Sequence, residues 1–275
     1  MPPTLEKLDS VQILTSTTQA RNVCEKHIVQ KAKGASEGLK ILEAGCGREW
    51  ILDLGEVEYE LTGVDLDEHA LSARMNQIKD LDKAAVGDLC SVELAEDTYD
   101  VIFNAYVLEH IKGAEVVLSN FNRWLKEDGL LILLFPSRSS VYGFLTRLTP
   151  HWIHVIYLRY LSPWKNKNAG KSGFGPYPTY HDAVVSREGI RRFCRDNGFT
   201  MEAEYASNTY ITQSSGLKAV LLKAVVKVIY WLSLGRLEPR YNNLIYVLRK
   251  GGTARADFTQ SDQSKPMKAE AVELT

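Results

Sequence analysis

Cysteine is scarce in this chain, and the few that occur are not paired in the sequence. The 275 residues include four cysteines, Cys24, Cys46, Cys90 and Cys194, and no two of them stand in a C-x-x-C spacing. The spacing therefore indicates neither a structural zinc site nor a disulfide framework. We expect mostly buried single thiols and, as the default, a reducing cytoplasmic location.

An excess of charge of one sign is also lacking. Lysine and arginine number 33 against 34 aspartates and glutamates, which gives a net charge of -1. Enzymes that act on nucleic acids usually carry a basic face, so this balance argues against a nucleic-acid partner. The first ten residues, MPPTLEKLDS, lack the apolar run of an export signal.

The most informative stretch runs from Leu39 to Asp65. Residues 40–44 predict a buried strand, and Gly45-Cys46-Gly47 lets the backbone turn sharply and approach a ligand closely. Residues 59–64 predict the next strand, which leads into Asp65, 20 residues after the first glycine. An acidic side chain at this spacing can accept hydrogen bonds from ribose hydroxyls. The glycine pair alone would be equally consistent with a simple turn, but the ordered set predicts a site for a nucleoside-containing cofactor.

Predicted strands and helices alternate after the first glycine turn. Such alternation is typical of an α/β fold with a doubly wound, mostly parallel sheet. Periodicity predicts helices over 18–33, 67–81, 114–126 and 186–197, and strands over 83–86, 98–104, 130–135, 199–205 and 243–249. Asp67 is predicted as a helix N-cap, with contact to a ribose as the alternative.

These motifs resemble, in their order, those of the class I S-adenosylmethionine-dependent methyltransferases. The segments that carry the resemblance are ILEAGCG, GVDLDEHAL, GDL, YDVIFNAYVLEHI and LKEDGLLILLFPS, which cover roughly residues 20–137. The resemblance implies a Rossmann-like sheet of seven strands in which the last strand is antiparallel and pairs with its predecessor at the sheet edge. It also implies S-adenosylmethionine as the cofactor.

The strand ends and the resemblance together predict the cofactor-binding residues. Asp88 is carried over from the family as the carboxylate that reads the adenine amino group, with Leu89 beside it; the alternative is an aspartate in a turn. Asn104 ends a strand at the edge where open parallel sheets bind ligands. The full predicted set is Glu43, Gly45, Gly47, Asp65, Leu66, Asp88, Leu89 and Asn104.

The sequence departs from the family at Glu49, which stands where a third glycine is usual. A carboxylate near a helix N-terminus disfavours the pyrophosphate of a dinucleotide. S-adenosylmethionine has no phosphate, so Glu49 counts against NAD or FAD more than against this cofactor.

Two segments interrupt the alternation, within a domain that we predict to span 1–250. Residues 138–185 are rich in aromatic side chains, proline, glycine and lysine, and we predict an acceptor-binding insertion with a mobile lid. Residues 207–242 form a second insertion that contains the apolar helix 217–234, which could cap a greasy pocket, form a homodimer contact, or lie in a membrane interface. Residues 251–275 are predicted to be a disordered tail.

Histidines are the candidate catalytic groups. Methyl transfer from a sulfonium needs alignment first, and a general base only if the acceptor must lose a proton. His110 follows the fourth strand and His181 lies in the insertion, so both are candidate bases; each could instead have a purely structural role.

The segment around His110 also resembles the ubiquinone-pathway O-methyltransferases, in which a Glu-x-x-Glu-His run holds a divalent metal. Tyr106 replaces the first glutamate here. Glu109 and His110 alone would make a poor site, so we predict no metal.

The sequence thus predicts an enzyme that transfers a methyl group from S-adenosylmethionine to a hydrophobic small molecule. We expect the methyl group to be transferred to an oxygen atom, in a specialised metabolite of the phenol, enol or pyrone type. Transfer to nitrogen or carbon is the alternative. The sequence also leaves open a non-catalytic cofactor-binding protein and a membrane-associated protein.

Overall fold

A computed structural model describes residues 11–161, 166–171, 175–180, 182–208 and 216–251. Its centre is one eight-stranded sheet. The strands are β1 (Gln12–Leu14), β2 (Leu39–Ala44), β3 (Tyr59–Asp65), β4 (Lys83–Val86), β5 (Tyr99–Ala105), β6 (Leu125–Pro136), β7 (Phe199–Ser207) and β8 (Asn243–Lys250).

The order of the strands in the sheet is β1-β7-β8-β6-β5-β2-β3-β4. Only β8 is antiparallel to its neighbours β6 and β7, and every other pairing is parallel. From β2 the chain first builds outward through β3 and β4, and then returns to place β5 on the other side of β2. Ligands of open α/β sheets bind at the carboxyl ends of the strands where this reversal occurs. The reversal point here lies between β2 and β5.

Helices cover both faces of the sheet, as a doubly wound fold requires. On one face α1 (Thr17–Ala32) and α2 (Glu68–Ala73) pack through side chains such as Cys24, Ile28 and Leu71. On the other face α3 (Ala114–Trp124) and α6 (Arg187–Asp196) pack through Phe121, Trp124, Ile190 and Phe193. The central strands are buried on both sides, which explains their continuous apolar runs.

The predicted α/β fold with an antiparallel last strand is confirmed, but the sheet has eight strands rather than seven. The additional strand is β1, which pairs in parallel with β7 at the sheet edge. The predicted hairpin of β7 and β8 is present, yet it is not at the edge, because β1 lies outside it. The helix predicted over 67–81 is also shorter: α2 ends at Ala73 and continues as a π-helical turn over Arg74–Ile78.

Both insertions leave from the carboxyl edge of the sheet, where Pro136, Asn243 and Ser207 are in register on neighbouring strands. The first contains α4 (Val141–Leu148) and α5 (His151–Ile156), and the second contains α7 (Gly216–Leu232). The predicted tail lies outside the described residues beyond Gly251. Within the described ranges, no helix combines the length and the apolar character that a bilayer span requires.

Candidate functional site

The glycine turn after β2 is held by β3 and opens toward solvent. The amides of Gly45 and Cys46 donate hydrogen bonds to the carbonyl of Val64 at 2.8 and 3.1 Å. Gly45 has φ +75°, and a Cβ there would overlap Val107 Cγ2 and lie 2.7 Å from Val107 Cγ1, so this position admits no side chain. Gly47 has φ +55° and faces open space. The turn therefore packs on the protein at its first glycine and leaves room for a ligand at its second.

Asp65 links the glycine turn after β2 to the residues that begin α2. Its Oδ2 accepts from the amide of Gly47 at 2.8 Å, and its Oδ1 accepts from the amide of Asp67 at 2.8 Å. Each carboxylate oxygen can accept a second hydrogen bond, so the group is oriented but still able to receive ribose hydroxyls. Asp67 caps α2 through the amide of Ala70, as predicted, and also binds Arg48 at 3.0 Å.

Asp88 lies next to this pair, and Leu66 and Leu89 differ in their accessibility. The amide of Gly87 donates to the carbonyl of Asp65 at 3.0 Å, which brings the exposed Asp88 to the same edge. Leu66 is 72% exposed and offers an apolar surface at the rim, whereas Leu89 is only 5% exposed and packs in the core. The structure thus brings Gly45, Asp65 and Asp88 together. Their individual roles toward the cofactor stay predictions.

Glu43 lies beneath the turn, not in the open space above it. Its carboxylate accepts from Arg74 Nη1 at 2.6 Å, and the same nitrogen donates to the carbonyl of Cys46 at 2.8 Å. Arg74 is completely buried and also binds Asp80 at 3.0 Å. Burial raises the pKa of Glu43 to about 8, and the charge of Arg74 opposes this shift. The sequence prediction of Glu43 as a binding residue did not identify Arg74, although a lone arginine on the apolar face of a predicted helix was a usable signal.

Asn104 connects the two strands at the reversal point. Its Nδ2 donates to the carbonyl of Ala44 at 2.8 Å, and the side chain is fully buried. Its Oδ1 has no hydrogen-bond partner among the residues that the structure describes. A buried acceptor left in this state is costly unless a ligand or water donates to it, so Asn104 fits a ligand contact at the carboxyl end of β5.

His110 lies one short turn beyond Val107, the residue that packs on Gly45. Its Nδ1 is 2.8 Å from the carbonyl of Pro178. A carbonyl can only accept, so Nδ1 carries the proton and Nε2 is the unprotonated nitrogen of the neutral ring. Burial lowers the pKa of His110 below its ordinary value, and the hydrogen bond to Pro178 partly opposes this change. The ring is therefore neutral near pH 7 with a free lone pair on Nε2.

In the sequence, Glu109 and His110 together were too few ligands for a metal site. The structure shows a different environment for Glu109. It is 2% exposed, and burial raises the pKa of its carboxyl to about 8. Its Oε2 has no hydrogen-bond partner in the described part of the chain. The described residues contain no group of three or more histidines, cysteines, aspartates or glutamates that could hold a metal ion.

Residues 175–180, which we call the strap, cross over His110. The ring of Tyr177 meets that of His110 edge to face at 5.7 Å between centroids, and the amide of Tyr180 donates to the carbonyl of Glu109 at 2.8 Å. Burial raises the pKa of Tyr177, with Asp65 and Asp67 adding to the shift. Tyr177 therefore lies between the predicted ribose site and His110, a proximity that no sequence pattern indicated.

His181 lies outside the described residues. Its neighbour Asp182 accepts hydrogen bonds from the amides of Gly113 and Ala114 at 2.6 and 3.0 Å, which fixes the chain after the strap to the start of α3.

A separate groove of about 650 Å³ lies between α3 and α6. Charged side chains such as Glu115, Arg187 and Glu188 line it, and none of the predicted cofactor-binding residues does. This groove is therefore not the cofactor slot.

Comparison with known proteins shows which proteins this chain resembles. The profile of a family described as a methyltransferase domain matches residues 17–204. Over 191 residues the chain is 25% identical to the demethylmenaquinone methyltransferase of Bacillus subtilis (strain 168), covering 66% of this chain and 78% of that protein. Over 167 residues it is 23% identical to the demethylmenaquinone methyltransferase of Bacillus velezensis, covering 58% and 69% of the two chains.

Among solved structures, the YcgJ protein of Bacillus subtilis superimposes with a TM-score of 0.50 at 13% identity, covering 85% of this chain and all (100%) of that one. This likeness supports the fold. The family match covers more than half of the chain and includes the glycine turn, Asp65, Asp88 and Asn104. The chain therefore belongs to the methyltransferase-domain family and is a class I S-adenosylmethionine-dependent methyltransferase.

Proposed function

We propose that this enzyme methylates a hydroxyl oxygen of a hydrophobic small molecule of the phenol, enol or pyrone type. The observation that carries the proposal is His110, a neutral imidazole whose Nδ1 is held by Pro178 and whose Nε2 is free to take a proton. A base of this kind is needed for a hydroxyl acceptor and not for an acceptor that is already a nucleophile.

The chain's own residues divide the work between holding the cofactor and preparing the acceptor. Asp65 and Asp88 would hold the ribose and the adenine, Gly47 would leave room for the ligand, and Asn104 would offer its free Oδ1. S-adenosylmethionine supplies a methyl group that its sulfonium has already activated. His110 Nε2 would remove the acceptor's hydroxyl proton, and Tyr177 of the strap packs against the imidazole ring.

The acceptor surface is assigned to the first insertion and the strap. Tyr106 has φ +60°, an unusual conformation for a tyrosine, and its hydroxyl lies 3.4 Å from Asn243 Nδ2. Together with Tyr177 and Tyr180 it offers aromatic surface near His110, and pockets for small organic molecules are lined mainly by such side chains. The net charge of -1 leaves no excess of basic residues, which argues for a small molecule over a nucleic acid as the acceptor.

Methylation at carbon is the second candidate, because the two Bacillus relatives are named for demethylmenaquinone. A ring carbon beside a hydroxyl also becomes nucleophilic when that hydroxyl loses its proton, so His110 would have the same role.

The test is incubation with S-adenosylmethionine labelled at its methyl carbon and a panel of phenols, enols and quinols, followed by NMR of the product. A label shift typical of a methyl ether supports O-methylation, and one typical of a ring methyl group supports the second candidate. Cofactor binding without label transfer to any hydroxylated compound would refute both.

A further inference from the structure

Helix α7 exposes a continuous apolar face. Val220, Ala224, Val228 and Leu232 recur every four residues and so lie along one side of the helix, and Trp231 borders them. Val220 is 63%, Trp231 69% and Leu232 78% exposed, which is unusual for side chains of this size. The face continues into Leu234, just after the helix.

The opposite side of α7 holds the helix on the protein. Val226 is buried and, with Tyr230, lines a small cavity of about 200 Å³ that Tyr142 of α4 also lines. The helix is thus anchored through Val226 and Tyr230, while the face through Val228 and Leu232 points away from the fold. The role of capping a greasy pocket, predicted for this helix, concerns the anchored side and stays a prediction.

Charge indicates what covers the exposed face. Residues 216–235 contain three lysines and no aspartate or glutamate. Lys223 and Lys227 are exposed and lie between the anchored side and the apolar face, so a basic edge borders an apolar surface that carries a tryptophan. Tryptophan and lysine at the margin of an apolar helix face are typical of helices that lie in the plane of an anionic lipid surface.

A second copy of the chain fits this face less well. In a symmetric dimer the same patch would meet itself, so lysines would approach lysines without a carboxylate from either helix. We propose that α7 docks the enzyme on an anionic lipid surface, with Val228, Trp231 and Leu232 entering the interface and Lys223 and Lys227 facing lipid headgroups. Since α7 connects β7 to β8 at the carboxyl edge of the sheet, the cofactor slot would open close to that surface.

The test measures binding and not turnover, so its outcome is independent of the proposed function. The full chain is sedimented with vesicles of phosphatidylcholine, with and without phosphatidylglycerol. We expect binding to the anionic vesicles that weakens with salt and is much lower for pure phosphatidylcholine. The double variant Trp231→Ser/Leu232→Ser should lose roughly tenfold or more of the affinity, because two exposed apolar side chains no longer enter the lipid.

Two further variants complete the design. Lys223→Gln/Lys227→Gln should lose only the part of the binding that depends on phosphatidylglycerol. Val116→Ser, at a half-exposed valine on α3, is the matched control and should bind like the unchanged protein. Absence of vesicle binding by the unchanged chain would overturn the proposal, as would full binding by the Trp231→Ser/Leu232→Ser variant. A dimer in light scattering that this variant dissociates, without vesicle binding, would assign the face to a second copy.

Discussion

The carboxyl group of Glu109 is buried beside the imidazole of His110, with 3.7 Å between Glu109 Oε1 and His110 Nε2. This separation is too long for a hydrogen bond. Burial raises the pKa of Glu109 to about 8 and lowers the pKa of His110 below its ordinary value, so both groups are uncharged near pH 7. The pair therefore keeps an uncharged base at the site.

Glu109 should make the stability of the enzyme depend on pH. Its pKa in the folded state, about 8, is above its ordinary value of 4.5. The folded protein thus holds a proton that the unfolded chain releases, and stability must fall as pH rises from about 4.5 through 8. In Glu109→Gln the share of this loss that Glu109 causes should disappear, a difference on the order of a few kcal/mol between pH 5 and pH 8, while Glu43, whose pKa burial also raises to about 8, keeps its own share. Urea unfolding of both proteins across this range measures it, and parallel curves would show that Glu109 is ionised in the folded state.

His110 should be required for turnover but not for cofactor binding. His110→Gln retains a polar side chain of similar length and loses the base, so we expect kcat to fall by roughly a hundredfold or more with little change in S-adenosylmethionine affinity. Because burial lowers the pKa of His110 below 6.5, activity of the unchanged enzyme should still be retained at pH 6.5 and fall only at lower pH, as the ring becomes protonated. Nearby His151 adds to the downward shift. Full turnover by the variant would remove His110 from the mechanism.

Asp65 should contribute to cofactor affinity through an oriented carboxylate. Asp65→Ala removes the acceptor for ribose hydroxyls and also frees the amides of Gly47 and Asp67, so affinity should fall by about tenfold to a few hundredfold. Calorimetric titration with S-adenosylmethionine gives the value. Asp82→Asn is the matched control, because Asp82 also accepts a backbone amide, that of Leu61, but precedes β4 at the other edge of the sheet. Equal binding by the two variants would refute the ribose assignment.

Arg74 should be a stabilising residue whose loss exposes the cost of burying Glu43. In Arg74→Met the carboxyl groups of Glu43 and Asp80 lose their shared hydrogen-bond donor, and we expect a loss of roughly 3 kcal/mol in the free energy of unfolding. The double variant Glu43→Leu/Arg74→Met removes one of the stranded acids and should recover part of that loss. Chemical denaturation of the single and double variants completes the cycle; a double variant less stable than Arg74→Met alone would contradict this account.

The local signals in the sequence were sufficient for most of the fold. The apolar runs of β2, β3 and β5 and the capped helix α6 follow from periodicity within a few neighbouring residues, and the structure has them within one or two residues of their predicted ends. β1 was missed because three residues are too few to show alternation, and because its partner β7 is almost two hundred positions away in the chain.

Contacts between distant segments account for what the sequence could not show of the site. Arg74 reaches Glu43 only after α2 has packed across the glycine turn, and Tyr177 reaches His110 only when the strap has crossed the sheet edge. The positions of Gly45, Asp65 and Asp88 were predictable because each lies at or just after the end of a strand, and parallel strands place such residues at one edge.

The two glycines of the turn should differ in what a methyl group does to them. In Gly45→Ala the new Cβ would overlap the Val107 side chain in a backbone conformation of φ +75°, so both a steric clash and backbone strain destabilise the folded state. We expect a loss of roughly 2–4 kcal/mol in the free energy of unfolding and a displaced turn. Gly47→Ala adds only the strain of φ +55°, about 1 kcal/mol, because no atom lies within 4 Å of its Cβ. Its methyl group would instead enter the open space assigned to the cofactor, so it should weaken S-adenosylmethionine binding more than it lowers the melting temperature.

Thermal unfolding with and without cofactor separates the two effects: Gly45→Ala should lower both melting temperatures, and Gly47→Ala should mainly reduce the increase that the cofactor produces. If Gly47→Ala kept that increase in full, the space in front of the turn would not be where the cofactor binds.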